Sequence, residues 1–73
     1  MSRNRLGYEE RMALCGKKYV SDINNPIEMS VTLHDVRVNG GGFSAVFTRH
    51  GMSGLYYTGF RKFMKRYPHQ LSN

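Results

Sequence analysis

Acidic residues are absent from the second half of this chain. Asp and Glu number five, and all of them (Glu9, Glu10, Asp22, Glu28 and Asp35) lie in the first 35 residues, where five cations balance them. Residues 36–73 carry Arg37, Arg49, Arg61, Lys62, Lys65 and Arg66 and no acid, so the whole net charge of +6 comes from that half. Solubilising charge usually mixes signs; a half of one sign predicts a positive field turned toward an anionic partner. Tryptophan is missing, and cysteine occurs once, as Cys15. One cysteine excludes an intrachain disulfide and makes a reducing cytoplasm the expected compartment. No apolar run approaches the roughly 18 residues that a membrane helix needs. The opening Met1-Ser2-Arg3-Asn4-Arg5 has charge without a following apolar region, so no secretory signal is expected. At 73 residues, 40% of them hydrophobic, the chain fits one small folded domain with little room for an enclosed active site.

What is present reads as small α+β. Residues 1–7 read as a flexible basic arm, 8–68 as the folded core and 69–73 as a polar tail. Tyr8 to Val20 reads as a helix with an extended exit. Leu6, Met12 and Cys15, joined by Tyr8 and Tyr19, face inward; Glu9, Glu10 and Arg11 face outward. Acids in the first turn and Lys17-Lys18 near the end suit the helix dipole, and Gly16 supplies a stop. Ser21 to Pro26 is turn chemistry. Ile27, Met29, Val31 and Leu33 alternate with polar residues and predict a strand. At His34-Asp35 the apolar parity shifts to Val36 and Val38, which predicts a β-bulge.

Asn39-Gly40-Gly41-Gly42 predicts a tight hairpin. Phe43, Ala45 and Phe47 give the returning strand, although Val46 makes its other face less than fully polar. Arg49 to Gly54 is a second turn, and Leu55-Tyr56-Tyr57 a third strand. From Thr58 the period changes. Phe60, Phe63, Met64 and Tyr67 recur at i, i+3, i+4 and i+7, one face of a helix of about ten residues. Thr58 serves as N-cap and Pro68 as the stop, with Arg61, Lys62, Lys65 and Arg66 on the remaining surface. The expected architecture is a single α+β domain: an N-terminal helix, a three-stranded antiparallel β-meander, and a C-terminal basic amphipathic helix covering one sheet face.

No set of side chains assembles a catalytic role. Glu9 and Glu10 are adjacent and diverge on a helix; His34 and Asp35 diverge on a strand. Cys15, His34, His50 and His69 are spaced by 19, 16 and 19 residues, without the local pair typical of zinc ligands. Neither enzyme activity, a metal nor a cofactor is therefore expected. The residues suited to meeting a partner, protein or nucleic acid, are Arg3, Arg5, Arg49, Tyr56, Arg61, Lys62, Lys65 and Arg66, since Arg and Tyr commonly anchor interfaces.

Two resemblances follow. The expected α-β-β-β-α order is similar to that of double-stranded RNA-binding domains, whose last helix grips phosphate. The Lys-Lys-x-x-Ala-Lys run and Gly-Pro-x-His loop of those domains are replaced here by Phe60-Arg61-Lys62-Phe63-Met64-Lys65-Arg66 and Asn39-Gly40-Gly41-Gly42. In length, basic arm, glycine-tipped hairpin and aromatic-basic end, the whole chain resembles small phage-encoded regulators of host RNA polymerase. That resemblance implies a monomeric, non-enzymatic transcription regulator in the host bacterial cytoplasm. It would bind the large polymerase subunits near the RNA exit channel, with nascent RNA close by, inhibiting initiation and promoting antitermination. A small basic RNA- or DNA-binding domain is the alternative.

Overall fold

Seven residues, Tyr8–Leu14, form the first helix, α1. The structure, a computed structural model, describes residues 7–71, so Arg3, Arg5 and Leu6 lie outside the described residues. Glu10 holds the helix start: the Gly7 N–H donates to Glu10 Oε1 at 2.8 Å, satisfying a donor that the first turn leaves unpaired. Gly16, at φ +81°, directly follows the C-cap Cys15 and turns the chain out of the helix. Lys17 and Lys18 consequently lie beyond α1 rather than in its last turn.

The inward side of α1 also differs from expectation. Leu14 and Cys15 pack on the core, whereas Met12 and Tyr8 are exposed. Arg11 is half-buried instead of outward, with its guanidinium 5.9 Å from the Tyr8 ring centroid and 5.7 Å from that of Phe43. A helix of two turns meets the sheet mainly through its C-terminal end, so the full apolar stripe has nothing to cover.

The strands are β1 (Lys18–Val20), β2 (Val31–Asn39), β3 (Gly42–Arg49), β4 (Tyr56–Gly59) and β5 (His69–Gln70). They form one antiparallel sheet in the order β4-β3-β2-β1-β5. The expected meander is present as β2-β3-β4, but the sheet has five strands, not three. The extended exit of α1 pairs with β2, and the segment read as a polar tail pairs with β1 on its far side. Short polar strands such as His69–Gln70 carry no alternation of their own; backbone pairing to β1 defines them.

Two further boundaries move. Ile27–Met29 is a 3₁₀ turn rather than the start of a strand, and Ile27 and Met29 are exposed. The Ser30 hydroxyl donates to the Ile27 carbonyl at 2.7 Å and closes that turn. Thr58 pairs with Ala45 inside β4, so it cannot cap a helix; Gly59 occupies the N-cap, and the second helix, α2, runs Phe60–Arg66. Sheet pairing overrides the local capping preference of threonine. Leu55, expected in the third strand, precedes β4 and is exposed.

Other expectations hold. The register of β2 against β3 shifts between Leu33 and Asp35, placing the bulge at His34. Asn39 pairs with Gly42 around a two-residue turn, and Gly40 has φ +57°. Glycine with φ > 0 at the first central position fits a II′ hairpin turn. Nothing lies within 4 Å of a Cβ built on Gly40, so the position is demanding through its backbone alone. Gly40→Val should therefore lower stability by about 1–2 kcal/mol in urea denaturation. Gly41→Ala, at a residue without positive φ, should cost nothing or gain up to about 1 kcal/mol.

Both helices cover the same sheet face. Tyr19, Val31, Leu33, Val36, Ala45 and Phe47 rise from the strands to meet Phe63 and Tyr67, with Phe60 and Met64 at the margin. Phe63 is only 1% exposed and touches three rings: Tyr19 edge-on at 5.6 Å, Phe47 at 5.0 Å and Tyr67 at 5.3 Å between centroids. The buried Tyr19 hydroxyl donates to the Leu14 carbonyl at 2.8 Å, which ties the end of α1 to the core.

Burial raises the pKa of Tyr19, and neighbouring Cys15 adds to the effect. Burial also raises that of Cys15, assisted by Asp35 and opposed by a backbone hydrogen bond from Val36 and by Arg11. Both groups keep their protons to higher pH in the fold than in the unfolded chain. Their stabilising contribution is full below the unfolded values, about 8.5 for Cys and 10 for Tyr, and is lost as pH rises through the folded ones. The urea midpoint should thus fall above about pH 9. Cys15→Ser should remove the lower-pH part of that fall.

Candidate functional site

Cations from two elements converge beside α2. The helix places Lys62, Lys65 and Arg66 on its exposed side, and the end of β3 delivers Arg49 to meet them. Together they rim a shallow groove of about 400 Å³ whose floor is Phe47, Phe63 and Tyr67. The floor rings belong to the buried core, and the rim side chains are exposed.

Arg49 is the best-positioned cation. Its guanidinium lies 4.8 Å from the centroid of Tyr56, which in turn stacks on Phe47 at 5.7 Å and an interplanar angle of 22°. A guanidinium over an aromatic face keeps its hydrogen-bond donors free at the edge while its position is held. Arg66 sits 5.9 Å from the Tyr67 ring centroid. Among the described residues, neither Arg49, Lys62, Lys65 nor Arg66 forms an ion pair, whereas Arg37 is bridged to Asp35.

A second depression, of about 600 Å³, continues from the first through Arg49, Arg66 and Tyr67. It adds Met29 and Met52, which are 57% and 54% exposed, with Glu28 among its lining residues. The combined surface is a cationic ridge over an aromatic floor with two flexible apolar side chains at one end. Methionine adapts its shape to irregular apolar partners.

The expected site residues therefore divide. Arg49, Lys62, Lys65 and Arg66 come together, and Tyr56 supports Arg49 from beneath. Arg61 is exposed on α2 but does not line the groove. Arg3 and Arg5 lie outside the described residues. Met29 and Met52 are the additions that sequence reading missed. The signal for Met29 was Pro26 just ahead of Ile27-Glu28-Met29, with proline at the cap and an acid in the first turn, a pattern of helix starts. Nothing local marks Met52.

No group of three or more His, Cys, Asp or Glu side chains able to hold a metal ion occurs among the described residues. Cys15 packs on the helix-covered face; His34 lies on the opposite face, His50 in the turn after β3 and His69 in β5. No described helix is long and apolar enough to cross a membrane. Comparison of the chain with protein-family models, with curated proteins and with solved structures gives no match.

Proposed function

We propose that the protein is a non-enzymatic regulator of transcription that binds the large subunits of a host bacterial RNA polymerase. It acts as a monomer in the bacterial cytoplasm, near the RNA exit channel, by occupying a surface. Bound there, it inhibits initiation by interfering with promoter engagement through the sigma factor, and it promotes read-through of terminators. The polymerase itself comes from the resemblance to phage-encoded regulators. The observation that supports a docking role is the convergence of Arg49 with Lys62, Lys65 and Arg66 over the Phe47–Phe63–Tyr67 floor, with no described acid paired to them.

That arrangement suits an acidic rim on another protein. Guanidinium and ammonium groups with no described acid paired to them gain carboxylates on binding, and the aromatic floor and methionines gain cover. Transcription in vitro from a defined promoter and across a defined terminator tests the reading. Fewer initiations and more read-through on adding the protein are expected; unchanged initiation and termination would overturn it. The alternative, direct nucleic-acid binding through α2, draws on the absence of acid from residues 36–73. It requires affinity for bare nucleic acid that falls steeply with salt and depends on Arg61, Lys62, Lys65 and Arg66.

A further inference from the structure

The sheet face turned away from both helices is covered by no described helix, and its chemistry differs from that of the groove. Cross-strand pairing puts Lys18 beside Thr32, Thr32 beside Thr48, Asp35 beside Val46 and Val46 beside Tyr57. Directly paired residues share a face, so these side chains form two neighbouring rungs, Lys18–Thr32–Thr48 and Asp35–Val46–Tyr57, which adjoin where Val46 and Thr48 stand two residues apart on β3. The face is ordered by its own bonds. Lys18 Nζ donates to Thr32 Oγ1 at 3.2 Å, and His34 Nε2 bonds Thr48 Oγ1 at 2.8 Å.

At the β4 end the face becomes aromatic. Tyr57 is 59% exposed, with the Arg37 guanidinium 5.9 Å from its centroid. Arg37 also pairs with Asp35, the one acid of these rungs, by Nε–H donation at 3.1 Å, so the two charges offset each other. Val46 is buried beneath its neighbours. What remains presented is hydroxyl, imidazole, the Lys18 ammonium and a phenol ring beside the Asp35-paired guanidinium.

From these features we infer that the open face is a binding platform for single-stranded RNA. Tyr57 and Arg37 stack an unpaired base; Lys18 meets phosphate; Thr32, Thr48 and His34 meet base edges or 2′-hydroxyls. From β1 to β4 the two rungs together cross three strand spacings, roughly 14 Å. Four-stranded RNA-binding sheets use such a face to seat two or three splayed bases on aromatic side chains. A flat sheet face gives a duplex no element to enter a groove. Among the paired side chains named on this face, Tyr57 is the one large exposed apolar group, too little for a hydrophobic protein contact. The Lys18 ammonium answers the charge of a phosphodiester chain. This site lies on the sheet face opposite the groove and is independent of the polymerase reading.

The test is fluorescence anisotropy of the full chain with a 5′-labelled octauridine RNA and with a duplex RNA of equal length. The octamer should bind more tightly than the duplex. Tyr57→Ala should weaken octamer binding by roughly 5- to 150-fold, the range for losing one stacked base, while Tyr57→Phe should bind like the parent. Tyr57 is exposed on an edge strand, so both variants should keep the parent's circular dichroism. Amide shifts on adding octauridine should fall on Thr32, Val46 and Thr48 and spare 60–66. No octamer binding, equal or tighter duplex binding, an unchanged Tyr57→Ala affinity in a folded variant, or shifts confined to α2 would each overturn the assignment.

Discussion

Phe63→Ala is expected to remove most of the stability of this domain. The ring is buried between Tyr19, Phe47 and Tyr67, so deleting it takes out the joint between α2 and the strands. Truncation of a buried Phe to Ala costs about 3–5 kcal/mol through lost burial and the cavity left behind. A chain of this length has a total stability of roughly 4–11 kcal/mol. The variant should therefore show a greatly lowered urea midpoint, followed by circular dichroism, and at the low end of that range it should be largely unfolded in buffer. Phe60→Ala gives the comparison. Phe60 lies at the same helical face but only at the margin of the core, so its cost should be clearly smaller. Equal costs for the two positions would mean that the stripe of α2 does not bear on the sheet as described.

The second large effect concerns binding. Reversing Arg49, Lys62 and Arg66 to Glu changes three exposed side chains on the groove rim. Surface changes of this kind usually alter folding by no more than about 0.5 kcal/mol. Interface anchors are commonly worth 2 kcal/mol or more each, and the values do not simply add. If the groove is the proposed polymerase-docking site, affinity for polymerase should accordingly fall at least about 100-fold. Binding by the parent should weaken with salt, because the rim charges are exposed. Arg61→Glu, on the same helix but outside the groove, should have a much smaller effect. A uniform loss from all four reversals would indicate attraction by net charge instead of a located site.

Features with local chemical causes were readable from the sequence. The parity change at His34-Asp35 reports a bulge because apolar alternation must restart after an extra residue. The glycines after Asn39 report a turn because φ > 0 is costly elsewhere. The stripe Phe60, Phe63, Met64 and Tyr67 reports a helix, and all four do meet the core. Features decided by distant partners were not. Thr58 has good capping chemistry, yet Ala45 takes it into β4. His69–Gln70 has no strand pattern, yet β1 offers an open edge and the Leu71 N–H donates to the Lys18 carbonyl at 2.8 Å.

The candidate site was half legible for the same reason. The charges of α2 lie on one local period, so Lys62, Lys65 and Arg66 could be read as a cluster. That Arg49 joins them depends on how β3 ends beside the helix. The place of Arg61 outside the groove follows from the rotation of α2 about its buried stripe, which the sheet sets.

The central claim is a direct contact with polymerase protein. It is tested most directly by capture from host lysate on the immobilised full chain, with and without nuclease. The large polymerase subunits should be retained equally in both cases and lost on the Arg49, Lys62 and Arg66 reversal. Absence of polymerase from the captured fraction, or its disappearance on nuclease treatment, would contradict the account.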